Sequence, residues 1–195
     1  MSSFKHFMVD LETLGTRPDR NFLLSMAVVA FDKDTMEFDP EGIEVNFNKD
    51  QPFRTHDPDT VSWWLTQPKE AQDAAFKGWE DMSVTNLQQV DKIIDYVAKY
   101  RGGAKDIFFW SKPLHFDFMF TAGFFKDVGT SMIFPHYLSF DMRSYCIGML
   151  GGKDHKYYDL QPAKREGAHQ PLSDCYWQLE WMKACIEESK NATQS

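Results

Sequence analysis

Three apolar runs crowd the beginning of the chain: HFMVDL, FLLSMAVVAFD and GIEVNFN, joined by the turn-rich links GTRPDRN and DKDTMEFDPE. Such runs read as strands, and links this short favour antiparallel neighbours. Helical spacing then takes over in DTVSWWLTQPKEAQDAAF, with Asp59 as its N-cap and Pro68 placed to break or kink it. In VTNLQQVDKIIDYVAKY, Leu87, Val90, Ile93, Ile94 and Val97 form an apolar helical stripe, which Gly102 and Gly103 end. DIFFW follows as a short buried strand, FDFMFTAGFFKDV as a helix, YLSFDM as a strand and RSYCIGML as a helix or turn. Residues 151–170 read as a loop, and PLSDCYWQLEWMKACIEES, opened by Pro171, as the last helix, with KNATQS a frayed tail. Three strands followed by alternating helices and strands predict an α/β fold, a mixed β-sheet flanked by helices on both faces.

At 195 residues the chain fits one domain, expected over 1–195 with its core at about 4–188 and the tail at 189–195. A composition that is 43% hydrophobic and 15% aromatic can bury a large core and excludes a disordered chain. The net charge of −8 weighs against a protein that grips long duplexes through many phosphates, but allows an enzyme that holds a short strand end. Cys146, Cys175 and Cys185 are odd in number and form no CxxC pair, so neither a disulfide framework nor a zinc knuckle is expected. No apolar run reaches the roughly 20 residues that cross a membrane, and the start lacks a signal-peptide core, so a cytoplasmic location is expected.

The first strand ends on two acids, Asp10 and Glu12. Alternation puts positions i and i+2 on one face, where two carboxylates about 4 Å apart repel by on the order of 4 kcal/mol at an effective dielectric near 20. The pair therefore needs water, protonation or a cation. Four other acid-x-acid pairs lie in turn-like sequence, where solvated acids need no explanation. Asp117, in WSKPLHFDFMF, reads either as a helix cap or as a third site acid, and HQPLSDC adds His169 and Asp174. Mg²⁺ and Mn²⁺ favour hard oxygen ligands, and two such ions about 3.5–4 Å apart can clamp the attacking and leaving oxygens of a phosphodiester. Four carboxylates from separate elements supply the ligands for that chemistry. A neutral imidazole at His169, with an ordinary pKa near 6.5, suits proton removal from water.

The ordered set DxE, FD and HxxxxD resembles the DEDDh group of DnaQ-like 3′-5′ exonucleases, which have a ribonuclease H-like fold. VDLETLG, AVVAFD, TVSWWLTQPKEA, WSKPLHFDF, FDMR and HQPLSDC extend the resemblance toward the branch holding exonuclease A of T-even phages and RNase T-like exoribonucleases, from about Phe7 to Cys175. It implies metal ligation by Asp10, Glu12, Asp117 and Asp174, His169 as general base, and two Mg²⁺ or Mn²⁺ ions. The implied substrates are single-stranded DNA or RNA 3′ ends, cut to nucleoside 5′-monophosphates. Leu11, Thr13 and Leu14 would lie against the terminal base and sugar, while His115 either reaches a phosphate or serves as a surface or capping residue. The chain departs from the family pattern at Pro171, where a small residue is usual, and at Leu114 and His115, where many members carry an asparagine.

Asp141 of FDMR reads as a structural carboxylate pairing with Arg143 or a backbone amide. Of Trp63 and Trp64, which point about 100° apart on a helix, at least one is expected in the core and the other could stack on a base. Lys153, Lys156, Lys164 and Arg165, interleaved with Tyr157 and Tyr158, form either a phosphate-facing lip or a solvated loop. A non-catalytic nucleic-acid-binding module and a dinucleotide or small-molecule phosphodiesterase are the competing functions. Sugar preference and a homodimer stay open.

Overall fold

A computed structural model describes residues 4–163 and 169–194. In chain order, β1 (His6–Thr13), β2 (Leu23–Phe31) and β3 (Ile43–Asn46) form an antiparallel meander. Helices α1 (Pro58–Leu65), α2 (Lys69–Ala75) and α3 (Asn86–Arg101) lead to β4 (Phe108–Ser111), then α4 (Leu114–Asp127), a short 3₁₀ turn and β5 (Ser139–Asp141). α5 (Met142–Met149), α6 (Asp154–Asp159) and α7 (Pro171–Gln194) complete the described elements. The sheet order is β3-β2-β1-β4-β5, with β4 parallel to both β1 and β5. The expected mixed sheet is therefore present, and β1 lies at its centre.

Side-chain alternation divides the core in two. Phe7, Val9 and Leu11 of β1 join Val90, Ile93, Phe120 and Phe124 on the α3/α4 face, whereas Met8 joins Met142, Cys175, Leu179 and Met182 on the α5/α7 face. Every residue of β2 is buried, as a strand covered on both faces requires. Each fully buried Phe or Leu contributes about 1.5–3 kcal/mol, so these two layers fix where the strand ends lie. All three cysteines are buried free thiols. Among the described residues, no helix is long and apolar enough to cross a membrane.

Several local expectations are corrected. Asp57, not Asp59, caps α1: its Oδ1 accepts the N–H groups of Asp59 and Thr60. Pro58 takes the first helical position, where its missing N–H costs nothing, and so moves the cap back. Pro68 breaks the helical segment completely, since α1 ends at Leu65 and α2 restarts at Lys69. Leu87 stays 40% exposed, and Tyr96 takes its place in the buried face of α3. The Tyr96 hydroxyl accepts from the Ala30 N–H and donates to Asp39, which rewards burial of a polar ring.

The expected loop at 151–170 contains α6, stabilised because Tyr157 stacks on Trp181 with ring centroids 4.2 Å apart. Its Lys156 pairs with Glu188 at 3.0 Å, Tyr157 is buried and Tyr158 is exposed, while Lys164 and Arg165 lie outside the described residues. α7 continues to Gln194, past the Ser189 where the sequence reading ends it, because residues 190–194 hold no Gly or Pro to stop a helix.

Asp141 has the structural role expected of it, through backbone amides rather than an ion pair with Arg143. Its Oδ1 accepts from the Ser144 N–H at 2.7 Å and caps α5, while its Oδ2 accepts from the Leu114 N–H at 2.9 Å. The second bond stands in for a cap that Pro113 has no side chain to make. Burial alone would raise this carboxyl, but the donated N–H groups hold it below its ordinary range. Asp141→Ala should cost about 1–3 kcal/mol in urea unfolding, because two helix starts lose an acceptor. Asp141→Asn, which keeps one oxygen, should lose less. A loss below about 0.5 kcal/mol in the alanine variant would show that neither cap matters.

Candidate active site

The acids arrive from three elements. Asp10 and Glu12 follow Met8 on the α7-facing side of β1, as alternation demands, and the strand's register slips between Glu12 and Thr13. Asp117 sits in the first turn of α4 and Asp174 in the first turn of α7. Both places favour a carboxylate, since the N-terminal end of a helix carries partial positive charge. Just past β1, a Cβ on Gly15 would lie 2.3 Å from the side chain of Asn21, so only glycine fits the turn that leads away from the acids.

One oxygen each from Glu12 and Asp174 and a ring nitrogen of His169 all lie within 4.8 Å of one another. Asp10 and Asp117 belong to the same electrostatic cluster. Burial, then the charges of Asp117, Asp174 and Glu12, push the Asp10 carboxyl well above its ordinary range, against a 2.7 Å hydrogen bond from Gln178 Nε2. Burial, then Asp174, Asp117 and Glu44, raise Glu12 likewise. Asp117 is pushed up to about 8, chiefly by burial. Ser111 lies close enough to temper that rise, yet neither its Oγ nor Oδ2 of Asp117 reaches a partner with good hydrogen-bond geometry.

His169 occupies the turn before α7 with φ of 66°, a left-handed backbone uncommon for a side-chain-bearing residue. Its N–H donates to Asp174 Oδ2 at 3.2 Å, tying the turn to the helix. Its ring meets the Trp63 ring edge-on, with centroids 4.9 Å apart and planes at 88°, and the Trp64 ring at 6.2 Å. Trp64 is the core partner of the pair, 2% exposed, and its Nε1 donates to the Thr13 carbonyl at 3.0 Å. Trp63 remains 40% exposed. The aromatic pair thus braces the imidazole against the end of β1.

Of the four other residues expected at the substrate, three are buried. Leu11 is buried on the opposite face of the sheet, because it alternates with the two acids, and Leu14 is buried against Leu24, Trp64 and Ala75. The Thr13 hydroxyl is buried and donates to the Gly15 carbonyl at 2.7 Å. These three side chains are buried, whereas His115 is an exposed residue of the first turn of α4. Sequence reasoning missed Gln178, although it follows Asp174 by four residues and so shares its helix face. Ser111 and Lys112 were missed too, since nothing in WSK distinguishes them before β4 is aligned with β1.

Comparison with known proteins follows from this geometry. The family model of the 3′-5′ exoribonuclease Rv2179c-like domain matches residues 5–186. No curated protein matches the sequence. Among solved structures, the nuclease domain of 3′hExo, a DEDDh family member bound to rAMP, superposes with a TM-score of 0.66 at 13% identity, covering 95% of this chain and 92% of that one. Cell-death related nuclease 4 gives 0.65 at 14%, covering 96% and 65%. The zinc-bound complex of E. coli ExoI with single-stranded DNA gives 0.61 at 14%, and the chain spans only 41% of that protein's length while 96% of it is covered. At these identities the likeness speaks to the fold, which is that of the ribonuclease H-like exonucleases.

The donor set fits divalent cations. Three buried or half-buried carboxylates raised chiefly by burial, Asp10, Glu12 and Asp117, make no ion pair with Lys or Arg among the described residues, and one Asp117 oxygen has no hydrogen-bond partner. In metal-free protein the folded state holds protons here that the unfolded state has released. The cluster's favourable contribution is therefore full below about pH 4 and is lost as pH rises through the folded values, for Asp117 at about 8. In EDTA, Asp117→Asn should accordingly gain melting temperature relative to wild type as pH is raised from about 5 to 8.5, by on the order of 5 °C. Excess Mg²⁺ or Mn²⁺ should raise the wild-type midpoint and close the gap. A difference that shrinks with pH in EDTA would contradict this electrostatic account.

Proposed function

Because the chain belongs to the family of Rv2179c-like 3′-5′ exoribonuclease domains, we propose that it shortens single-stranded RNA or DNA from the 3′ end and releases nucleoside 5′-monophosphates at the site around Glu12. The activity class, a 3′-5′ exonuclease, is that of the family. The observation that carries the finer reading is the convergence of Glu12, Asp174 and His169 within 4.8 Å, inside the field of Asp10 and Asp117. The whole chain acts as one exonuclease domain in this reading.

Asp10, Glu12, Asp117 and Asp174 would hold the ions, two of Mg²⁺ or Mn²⁺. Bound there, such ions supply Lewis-acid stabilisation of the phosphodiester and lower the pKa of water. The chain's own residues supply the remainder. His169 accepts the proton of the attacking water, and its braced ring spares the reaction the entropy of orienting a mobile base. The Asp174 carboxylate holds the His169 turn through the backbone N–H. Gln178 orients Asp10 by donating to Oδ1. Trp63, the half-exposed member of the aromatic pair, offers a face on which a base can stack without demanding a sequence.

RNA is the first substrate to test, since the family model is that of an exoribonuclease. The experiment is a time course on 5′-labelled single-stranded RNA and DNA with Mg²⁺, Mn²⁺ or EDTA. A ladder that shortens from the 3′ end, with mononucleotides as product and full inhibition by EDTA, is expected. His169→Ala should slow turnover by about 10²- to 10⁴-fold, and Asp10→Ala or Asp117→Ala should nearly abolish it with the fold intact. Cleavage that survives chelation, or that proceeds at the wild-type rate in either aspartate variant, would reject these roles.

A further inference from the structure

Lys112, between β4 and α4, carries a cation for which the described residues supply no hydrogen-bond or ion-pair acceptor. Its Nζ lies 4.7 Å from the ring centroid of Trp177 and 4.5 Å from that of Trp181, and it makes no hydrogen bond or ion pair among the described residues. The side chain is only half-exposed, so its position loses hydration without gaining a carboxylate among the described residues. Arg143, in the first turn of α5, is also half-exposed and likewise without a hydrogen bond or ion pair among the described residues. Burial first, then the Arg143 charge, lower the Lys112 ammonium, while Asp10, Asp174 and Asp141 pull the other way. Lys112 thus feels the Arg143 charge and those of the site acids, with no ion pair between them among the described residues.

In a chain of net charge −8, acids to neutralise such cations are plentiful, and none among the described residues pairs with them. The indole faces hold the ammonium by cation–π attraction. An ammonium is a compact point charge with three donors, and phosphate oxygen is an acceptor it commonly meets. A strand whose 3′ end enters the carboxylate cluster brings further phosphates with it.

Resting on the nuclease reading above, we propose that Lys112, with Arg143 beside it, binds a phosphate of the nucleic-acid strand other than the one being cleaved. The position would favour strands over single nucleotides, because a mononucleotide ester has no second phosphate to offer.

The test uses the full chain in an Asp117→Asn background, which stops cleavage, with Mg²⁺ present and a 5′-fluorescent single-stranded RNA whose anisotropy reports binding across a salt series. Lys112→Met should weaken binding about tenfold at low salt and flatten the slope of log K against log salt by about 0.7. Lys112→Arg should restore most of the affinity. With Asp117 intact, Lys112→Met should lose at least fivefold more kcat/KM on the RNA strand than on the p-nitrophenyl ester of thymidine 5′-monophosphate, with the loss in KM. Lys112→Gln serves if the methionine variant does not fold. Equal affinity and slope, or equal losses on strand and ester, would overturn the inference while leaving an active parent enzyme. A parent that shortens no strand would instead remove the nuclease reading itself.

Discussion

Repulsion among carboxylates brought together at the end of β1 is the constraint that the rest of the structure answers. At an effective dielectric near 20, each close pair costs on the order of 4 kcal/mol, a large share of the 5–15 kcal/mol by which a domain is usually stable. The scaffold that bears this cost is stiff. β1 is held between antiparallel β2 and parallel β4, β2 is buried along its whole length, and α7 is anchored across the sheet by Cys175, Leu179 and Met182. The acids cannot drift apart, so burial, with repulsion added for Asp10 and Glu12, raises their carboxyl pKa values in the metal-free state. A site on rigid elements keeps its ligands preorganised, which a site on loops would not.

Of the four acids and the histidine, His169 alone sits on a turn, and its surroundings compensate for that. A left-handed backbone of this kind costs of order 1–3 kcal/mol in a residue with a side chain, and persists only where neighbours over-determine it. The bond to Asp174 and the edge-on contact with Trp63 are such neighbours. Trp64, bonded to the Thr13 carbonyl, transmits the position of β1 to α1 and hence to the imidazole. The carboxylates and the imidazole are therefore located relative to one another through aromatic packing, not only through the chain connecting them.

How much of this was legible varied with the range of the interaction. The five strands, the DxE pair on one strand face, the break at Pro68 and the opening of α7 at Pro171 follow from periodicity and backbone chemistry, which are local. Misreadings were local competitions with a close runner-up: Asp57 displaced Asp59 once Pro58 took the first helical position. The α6 helix was hidden because its stability comes from Tyr157 stacking on Trp181, a contact between segments 24 residues apart that no window on 151–170 contains. Leu11 and Leu14, expected beside substrate from resemblance, are buried among core residues, a packing that only the assembled layers reveal.

Taken by itself, the sequence determined the chemical inventory and its order: four acids and one histidine in motifs that resemble a nuclease family, on a chain whose periodicities build an α/β sheet. Tertiary structure alone decided which side chains share a space. The placing of Gln178 on Asp10, of two tryptophans around His169, of Arg54 buried against Asp127 and of Lys112 over two indoles depends on contacts between distant segments. The physical reason is that propensity and alternation act over a few residues, whereas hydrogen bonds, burial and Coulomb forces act through space and take their values only when the layers have packed.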